Sequence, residues 1–412
     1  MGKKNRKPPM CKYVLGRFDE FEDEYLGDLE DSEPESPEAS ENSVKPAEPA
    51  RTVKVALLGG GSIGKVHAYA YRTLPFYSDP LPLKPEIRYV VNSRMETAEK
   101  AARLAGWAEP LTDWRRAIND PDVEIVDICL PNHLHFEALK AVLRSGKHIY
   151  CEKPVVLNAA EADELEPLLA EYRGVSHVVF HTRFFASAMK AKAMIEEGKL
   201  GRILEFRGAY LQNSHVDPER PLRWKNLKSC GGGALMDIGS HLIDLADWLA
   251  GPLKDVFTLE ASAVPKDPER AEDSIAMLWR TEQGSIGTLH ASKMAHGTEN
   301  DLTLEIYGTR GALRFDVQDP HFLGWFDGQR PTSPFGGEAG WTRIPVGNRY
   351  EDPDTDFPAA KSGIGWARAH CTSLAHFLHN VAAGKNLDGS PDLARGLYVQ
   401  RLMEKCRQKP TA

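Results

Sequence analysis

Cysteine is scarce in this chain, with six residues in 412, and none falls at the spacing that gathers ligands around a metal. Neither a disulfide framework nor a metal site is therefore expected. Cys129 and Cys151, within or at the ends of apolar strand-like runs, read as small core residues. No apolar run approaches the ~20 residues needed to span a bilayer, so no membrane role is expected. The basic start, Met1-Gly-Lys-Lys-Asn-Arg-Lys, lacks a following apolar stretch, and Arg6 stands where a myristoylation motif needs Ser or Thr. A reducing cytoplasm is the expected location. Cations are also in deficit: 51 Lys and Arg face 59 Asp and Glu, a net charge of -8. That balance argues against a general nucleic-acid binder, which needs a basic face to neutralise phosphates.

What is present is an ordinary globular composition, 42% apolar and 27% charged, in a chain too long for one usual core. Three parts are expected. Residues 1–50, dense in Glu, Asp, Ser and Pro from about residue 17, read as a disordered acidic tail. Residues 51–177 alternate strands (53–58, 87–92, 123–130, 148–151) with helices. That alternation predicts an α/β dinucleotide-binding Rossmann domain on a doubly wound parallel sheet. Residues 178–408 change texture to hairpin-compatible strands with interspersed helices. They predict an α+β domain with a large, mostly antiparallel sheet for substrate binding and oligomerisation. The C-terminal helix is a candidate to pack back on the first domain, and 318–363 reads as loop.

The first chemical motif is Gly59-Gly-Gly61-Ser62-Ile63-Gly64, between an apolar strand and an amphipathic helix. Gly59 permits a tight turn, Gly61 the close approach of a diphosphate, and Gly64 close packing of helix on strand. The helix N-terminus favours negative charge there. The next strand ends Val91-Asn92-Ser93-Arg94, with no carboxylate for a ribose 2′-hydroxyl. Arg94 reads as a partner for a 2′-phosphate, as a plate stacked on adenine, or as a plain loop residue. Pro131-Asn132-His133-Leu134-His135 closes another strand, where it can reach the nicotinamide half; His135 reads equally as a packed helix-start residue.

Two further motifs carry proton chemistry. In Glu152-Lys153-Pro154, two charges sit at a strand end. A lysine there can hydrogen-bond a substrate hydroxyl and shift the pKa of its partner, although a surface ion pair is the plain alternative. In Gly231-Gly-Gly-Ala-Leu-Met-Asp237-Ile-Gly239-Ser-His241, Asp237 and His241 are four apart and share a helix face. A neutral histidine beside a carboxylate suits a proton acceptor, whereas alone the pair reads as a cap and a packed ring.

Together these motifs resemble the Gfo/Idh/MocA oxidoreductases, the family of glucose–fructose oxidoreductase and inositol 2-dehydrogenase, over about residues 53–408. The resemblance implies that Lys153, Asp237 and His241 are catalytic. It also implies that Gly59, Gly61, Ser62, Ile63, Gly64, Ser93, Arg94, Pro131, Asn132, His135, Glu152 and Lys153 bind NAD or NADP. Lys153, Arg183, Trp224, Asp237 and His241 would line a sugar, anhydrosugar or polyol substrate. Gly106-Trp107, Thr112-Asp-Trp-Arg115 and Arg223-Trp224 are similar to members acting on anhydrosugars such as levoglucosan, which suggest NAD. Phe180-His181-Thr182-Arg183-Phe184 departs from the family's usual approach to this pocket. Rival expectations are glycoside cleavage through transient oxidation and elimination, and a non-catalytic dinucleotide sensor. An open sheet face needs covering, so a homodimer or homotetramer through the C-terminal sheet is expected.

Overall fold

The computed structural model describes residues 50–408 apart from 218, 220, 264–266, 352 and 364, so residues 1–49 of the expected acidic tail lie outside the described residues. Six parallel strands form the first sheet: β1 (Arg51–Leu58), β2 (Leu83–Val91), β3 (Glu109–Leu111), β4 (Val123–Ile128), β5 (His148–Cys151) and β6 (Ser176–Val178). Val53, Val55, Leu57 and Leu58 of β1 are all buried, as expected of a central parallel strand covered on both faces. The strand order is β3-β2-β1-β4-β5-β6. Successive strands are therefore added on one side of β1 up to β3 and on the other side from β4 onward, a switch point between β1 and β4. A ligand crevice opens outside the carboxyl ends of the strands at such a point.

Helices α1 (Ser62–Thr73), α2 (Met95–Leu104), α3 (Trp114–Asn119), α4 (His135–Ser145) and α5 (Ala159–Glu171) join these strands. Asn158 caps α5, its side chain accepting from the Glu161 amide at 2.9 Å. The helix ends at Glu171, with Tyr172 as its C-cap. Strand β2 begins at Leu83, ahead of the strand expected from residue 87. Pro85 fits within it because β3 pairs only with Tyr89–Val91, leaving that part of β2 as a sheet edge.

The second sheet has eight strands in the order β14-β13-β12-β11-β7-β10-β9-β8. They are β7 (Ile203–Leu211), β8 (Leu253–Ala261), β9 (Ser274–Thr281), β10 (Ile286–Ser292), β11 (Asp301–Gly308), β12 (Gly311–Asp316), β13 (Phe322–Asp327) and β14 (Trp341–Pro345). Only β7 and β10 pair in parallel. Strands β13 and β14 correct the loop expected over 318–363. Strand β14 is the sheet edge and β13 lies next to it, and their glycine and polar residues conceal these outer strands in sequence.

Helix α7 (Ser240–Ala250) covers one face of this sheet, against β7, β10 and β11. Helix α6 (Ala186–Glu196) packs on β12 and β13. Helix α8 (Trp366–Ala383) lies against α1, and α9 (Leu393–Arg407) touches α5, α7 and both sheets. No helix among the described residues is long and apolar enough to cross a membrane.

A buried ion network ties these parts together. The fully buried Asp244 of α7 accepts from Arg183 at 2.6 and 2.7 Å and from Arg395 of α9 at 2.7 Å. Burial pushes its carboxyl up, but the two guanidinium groups outweigh that and hold it low. Asp244→Ala leaves both guanidinium groups without this partner. It is expected to destabilise the protein by about 3–5 kcal/mol. Urea denaturation checks this; a loss below about 1 kcal/mol contradicts it.

Candidate active site

The glycine loop follows β1 into the crevice. Gly59 has φ +103°, and a Cβ there would sit 2.4 Å from the Cys129 carbonyl oxygen. A Cβ on Gly64 would sit 1.9 Å from the Gly59 oxygen, so only hydrogen lets α1 close on the turn. Gly61 is exposed, and a Cβ on it would meet nothing within 4 Å. The loop is thus crowded behind and open in front, a cradle that fits a diphosphate at a helix N-terminus. Asn92, at the tip of β2, accepts from the Gly60 amide at 2.7 Å and ties the two loops together. Ser93 and Arg94 beside it are exposed, as is Ser62, while Ile63 is half-buried.

Beyond this cradle, the carboxyl end of β5 meets the second sheet at a cluster of charges. Lys153 donates to the main-chain oxygen of Asp237, and its Nζ lies 3.5 Å from the Asp237 carboxylate. That carboxylate also takes Lys293 Nζ at 2.5 Å and Lys225 Nζ at 3.2 Å. Burial pushes the Asp237 carboxyl up, but Lys293, Lys225 and Lys153 together hold it well below the usual range. Burial lowers the Lys153 ammonium; Asp237 and Glu152 oppose this only in part, and Lys225 and Lys293 reinforce it.

Asp237 stands in a single π-helical turn, Leu235–Gly239, that runs into α7. Single π-turns inside helices recur at functional sites. His241 follows in the first turn of α7, with 3% exposure. Its Nδ1 is buried without a hydrogen-bond partner. Burial, reinforced by Lys153, drives its pKa well below the ordinary histidine value, so the ring is neutral at pH 7. No hydrogen bond joins it to Asp237. The Asp237 carboxylate is bound to lysines.

Glu152 points inward. Its Oε1 lies 3.2 Å from His67 Nε2, while His67 Nδ1 lies 3.0 Å from both Asp127 oxygens. Burial lowers the His67 pKa, but Asp127 and Cys129 reverse the effect and raise it well above normal. An imidazolium is therefore held between two buried carboxylates. Two buried groupings, His67–Asp127–Cys129 and His67–Glu152–His370, bring their polar atoms within 4.8 Å of one another, but a protonated His67 has no lone pair to offer a metal ion. Sequence spacing did not reveal them, because their members come from α1, α8 and the ends of β4 and β5.

The two parts of the chain match two family models. Residues 53–180 match an oxidoreductase family with an NAD-binding Rossmann fold, and residues 188–314 match the GFO/IDH/MocA C-terminal domain. The chain belongs to the Gfo/Idh/MocA family of oxidoreductases. Among its relatives, levoglucosan dehydrogenase of Pseudarthrobacter phenanthrenivorans is 33% identical over 373 residues, covering 85% of this chain and 94% of that protein. A scyllo-inositol 2-dehydrogenase (NADP(+)) of Bacillus subtilis is 32% identical over 207 residues, 50% of this chain and 54% of that one. A solved levoglucosan dehydrogenase in complex with NADH and levoglucosan superposes with a TM-score of 0.81 at 32% identity, covering 87% of this chain and 96% of that one.

As a Gfo/Idh/MocA protein, the chain is an NAD-binding oxidoreductase, and three expected site residues converge: Lys153, Asp237 and His241. Trp224 stands half-buried in a short 3-10 turn, and Lys225 Nζ lies 5.5 Å over its ring. Pro131 is half-buried, and Asn132 donates to the Gly231 oxygen at 2.8 Å, linking the β4 end to the glycines before Asp237. Two expectations need correction. His135 is fully buried with both ring nitrogens against backbone oxygens, Pro154 and Leu130, each at 2.8 Å, so neither is free for a cofactor. Arg183 binds Asp244 and lines a separate cavity of about 460 Å³ with Trp248, Lys192 and His376. Lys225 and Lys293 were missed in the sequence; for Lys293 the clue was a charge just past the end of β10, the same kind of position as Lys153 after β5.

Proposed function

We propose that the chain is an NAD(P)-dependent dehydrogenase acting on a carbinol of a sugar, anhydrosugar or polyol. The observation that carries this reading is the meeting of Lys153, the lysine-bound Asp237 and the neutral His241 at one end of the dinucleotide crevice. The 85% coverage by a levoglucosan dehydrogenase supports the substrate class.

In this reading His241 takes the hydroxyl proton through its unprotonated nitrogen. Lys153 donates a hydrogen bond to the same substrate oxygen as it becomes a carbonyl. Asp237 holds that ammonium in place through its main-chain oxygen and its carboxylate. A bound nicotinamide would supply the hydride acceptor. Gly59, Gly61 and Gly64 would seat its diphosphate at the start of α1, and Pro131, Asn132 and Glu152 would close the nicotinamide end. Trp224 offers the substrate an aromatic wall. The reading places the protein in the cytoplasm, supported by five free cysteines among the described residues.

Lys153→Met and His241→Ala are each expected to lower kcat/KM by about 10²–10⁴-fold with cofactor affinity retained. In the wild type, the lowered His241 pKa keeps the acceptor ready below pH 6.5, and oxidation falls only as pH drops through that lowered value. At the other end, the lowered Lys153 pKa makes activity fall at lower pH than an ordinary lysine would. A kcat/KM profile checks both limbs; wild-type rates in either variant contradict the assignment.

Cofactor choice runs through Arg94 in this proposal, because Asn92 has no carboxylate to repel a 2′-phosphate and its Oδ1 is already bonded to Gly60. Arg94→Ala is expected to weaken NADP about tenfold and to leave NAD nearly unchanged, as loss of one charge-assisted contact would. Equal loss for both, by calorimetry, contradicts it.

The assembly is proposed to be a homodimer or homotetramer through the second sheet. Phe257 and Leu278 face each other across β8 and β9, and with Leu259 and Ile286 they leave large apolar side chains exposed. Light scattering is expected to show two or four chains, and a Phe257→Glu, Leu278→Lys variant to show one. A monomeric wild type overturns this.

A further inference from the structure

We propose that Trp366 and His181 are positioning residues for His241. The indole N–H holds His181 in its neutral form, and that neutral ring keeps the facing histidine uncharged and ready to accept a proton. The inference rests on the hydride-transfer reading for its purpose, but its physical content stands on the geometry alone.

Trp366 and His370 are four residues apart at the start of α8 and therefore share one face. That face closes over the 3-10 turn His181–Phe184. Trp366 Nε1 donates to His181 Nε2 at 2.9 Å. Indole can only donate, so this His181 nitrogen must carry a bare lone pair, and the ring proton must sit on Nδ1. Protonating Nε2 would set one N–H against another in a buried place. His181 has 5% exposure, and Trp366 is half-buried beside it.

The other faces of His181 are closed too. His370 stacks on it, ring centroids 4.3 Å apart and 17° from parallel. His241 approaches at 4.7 Å and 76°, edge to face. An imidazolium in this stack would stand one ring away from the proton acceptor and repel the proton His241 must take. A neutral ring leaves the acceptor unopposed and packs it in one orientation. His241 Nδ1 has no hydrogen-bonding partner of its own, so this packing is what orients the ring.

The charges facing the pair are known from every side. Lys153 comes from the end of β5, His67 from α1, and His370 from α8; Asp237 and Lys225 reach His241 from its own turn and the Trp224 loop. Burial drives both His181 and His370 well below the ordinary histidine value, in the same direction as the tryptophan bond. Tyr210 and Phe180 complete the wall around His241 with rings at 6.4 and 6.3 Å.

The test has two readouts on the full-length protein. First, ¹⁵N NMR of histidine-labelled protein follows each ring, with His181 assigned by its loss in His181→Gln or, if that variant is unstable, His181→Asn. In the wild type His181 is expected to stay neutral, protonated on Nδ1, between about pH 5 and 8. In Trp366→Phe its pKa is expected to rise by about one unit, the effect of losing one hydrogen bond to the neutral form.

Second, the acid limb of kcat/KM is expected to move up by a similar amount in Trp366→Phe. It is expected not to move when the same change is made in the His181→Gln background, where position 181 cannot titrate. A wild-type His181 that protonates near pH 6.5 overturns the proposal. So does an acid limb that Trp366→Phe shifts equally in both backgrounds. If the wild type turns over no sugar or polyol, the functional reading fails, and the NMR readout alone still decides the tautomer claim.

Discussion

One buried carboxylate organises this protein. Asp237 holds three lysines that arrive from different places: Lys153 from the end of β5, Lys293 from the end of β10, and Lys225 from the loop around Trp224. Burial alone would neutralise the acid. Three ammonium groups instead keep it ionised and pin the second sheet to the end of the first. In return the carboxylate lets Lys153 remain an ammonium in a site that would otherwise strip its proton. The result is a donor at a fixed place with a lowered pKa, which suits a group asked to polarise an alcohol oxygen.

Around this ionic centre lies a contrasting layer of neutral rings. His241, His181 and His370 are buried, close to one another, and far from their ordinary titration range. Their proximity is tolerable only because they are uncharged. On the other side His67 is the opposite case, a histidine whose pKa Asp127 and Cys129 raise well above normal against the effect of burial. The same side chain is thus driven in two directions within one crevice, by desolvation on one side and by carboxylates on the other. Separating proton-binding groups in this way assigns acid and base roles in an active site.

The sequence made the strand–helix alternation legible because a buried parallel strand is a compact apolar run. It made the glycine loop legible because Gly59 and Gly64 have no room for a side chain. Lys153, Asp237 and His241 were recognisable as unusual charges at strand ends and on one helix face. His135 misled because a histidine at a strand end looks the same whether its nitrogens face a ligand or two backbone carbonyls. Arg183 misled for a similar reason, since its partner Asp244 lies 61 residues away. Trp366 and His370 could not be read at all. Their meaning arises from contacts across the fold, and no local spacing encodes those.

The central claim is that this crevice moves a hydride between a carbinol and nicotinamide. The most direct measurement is absorbance of reduced nicotinamide while the purified protein acts on anhydrosugars, sugars and inositols, with substrate loss followed in parallel. The account predicts one reduced nicotinamide formed per carbinol oxidised with at least one of these compounds. Substrate consumed without net reduced nicotinamide, or no turnover of any compound with NAD or NADP, would contradict it.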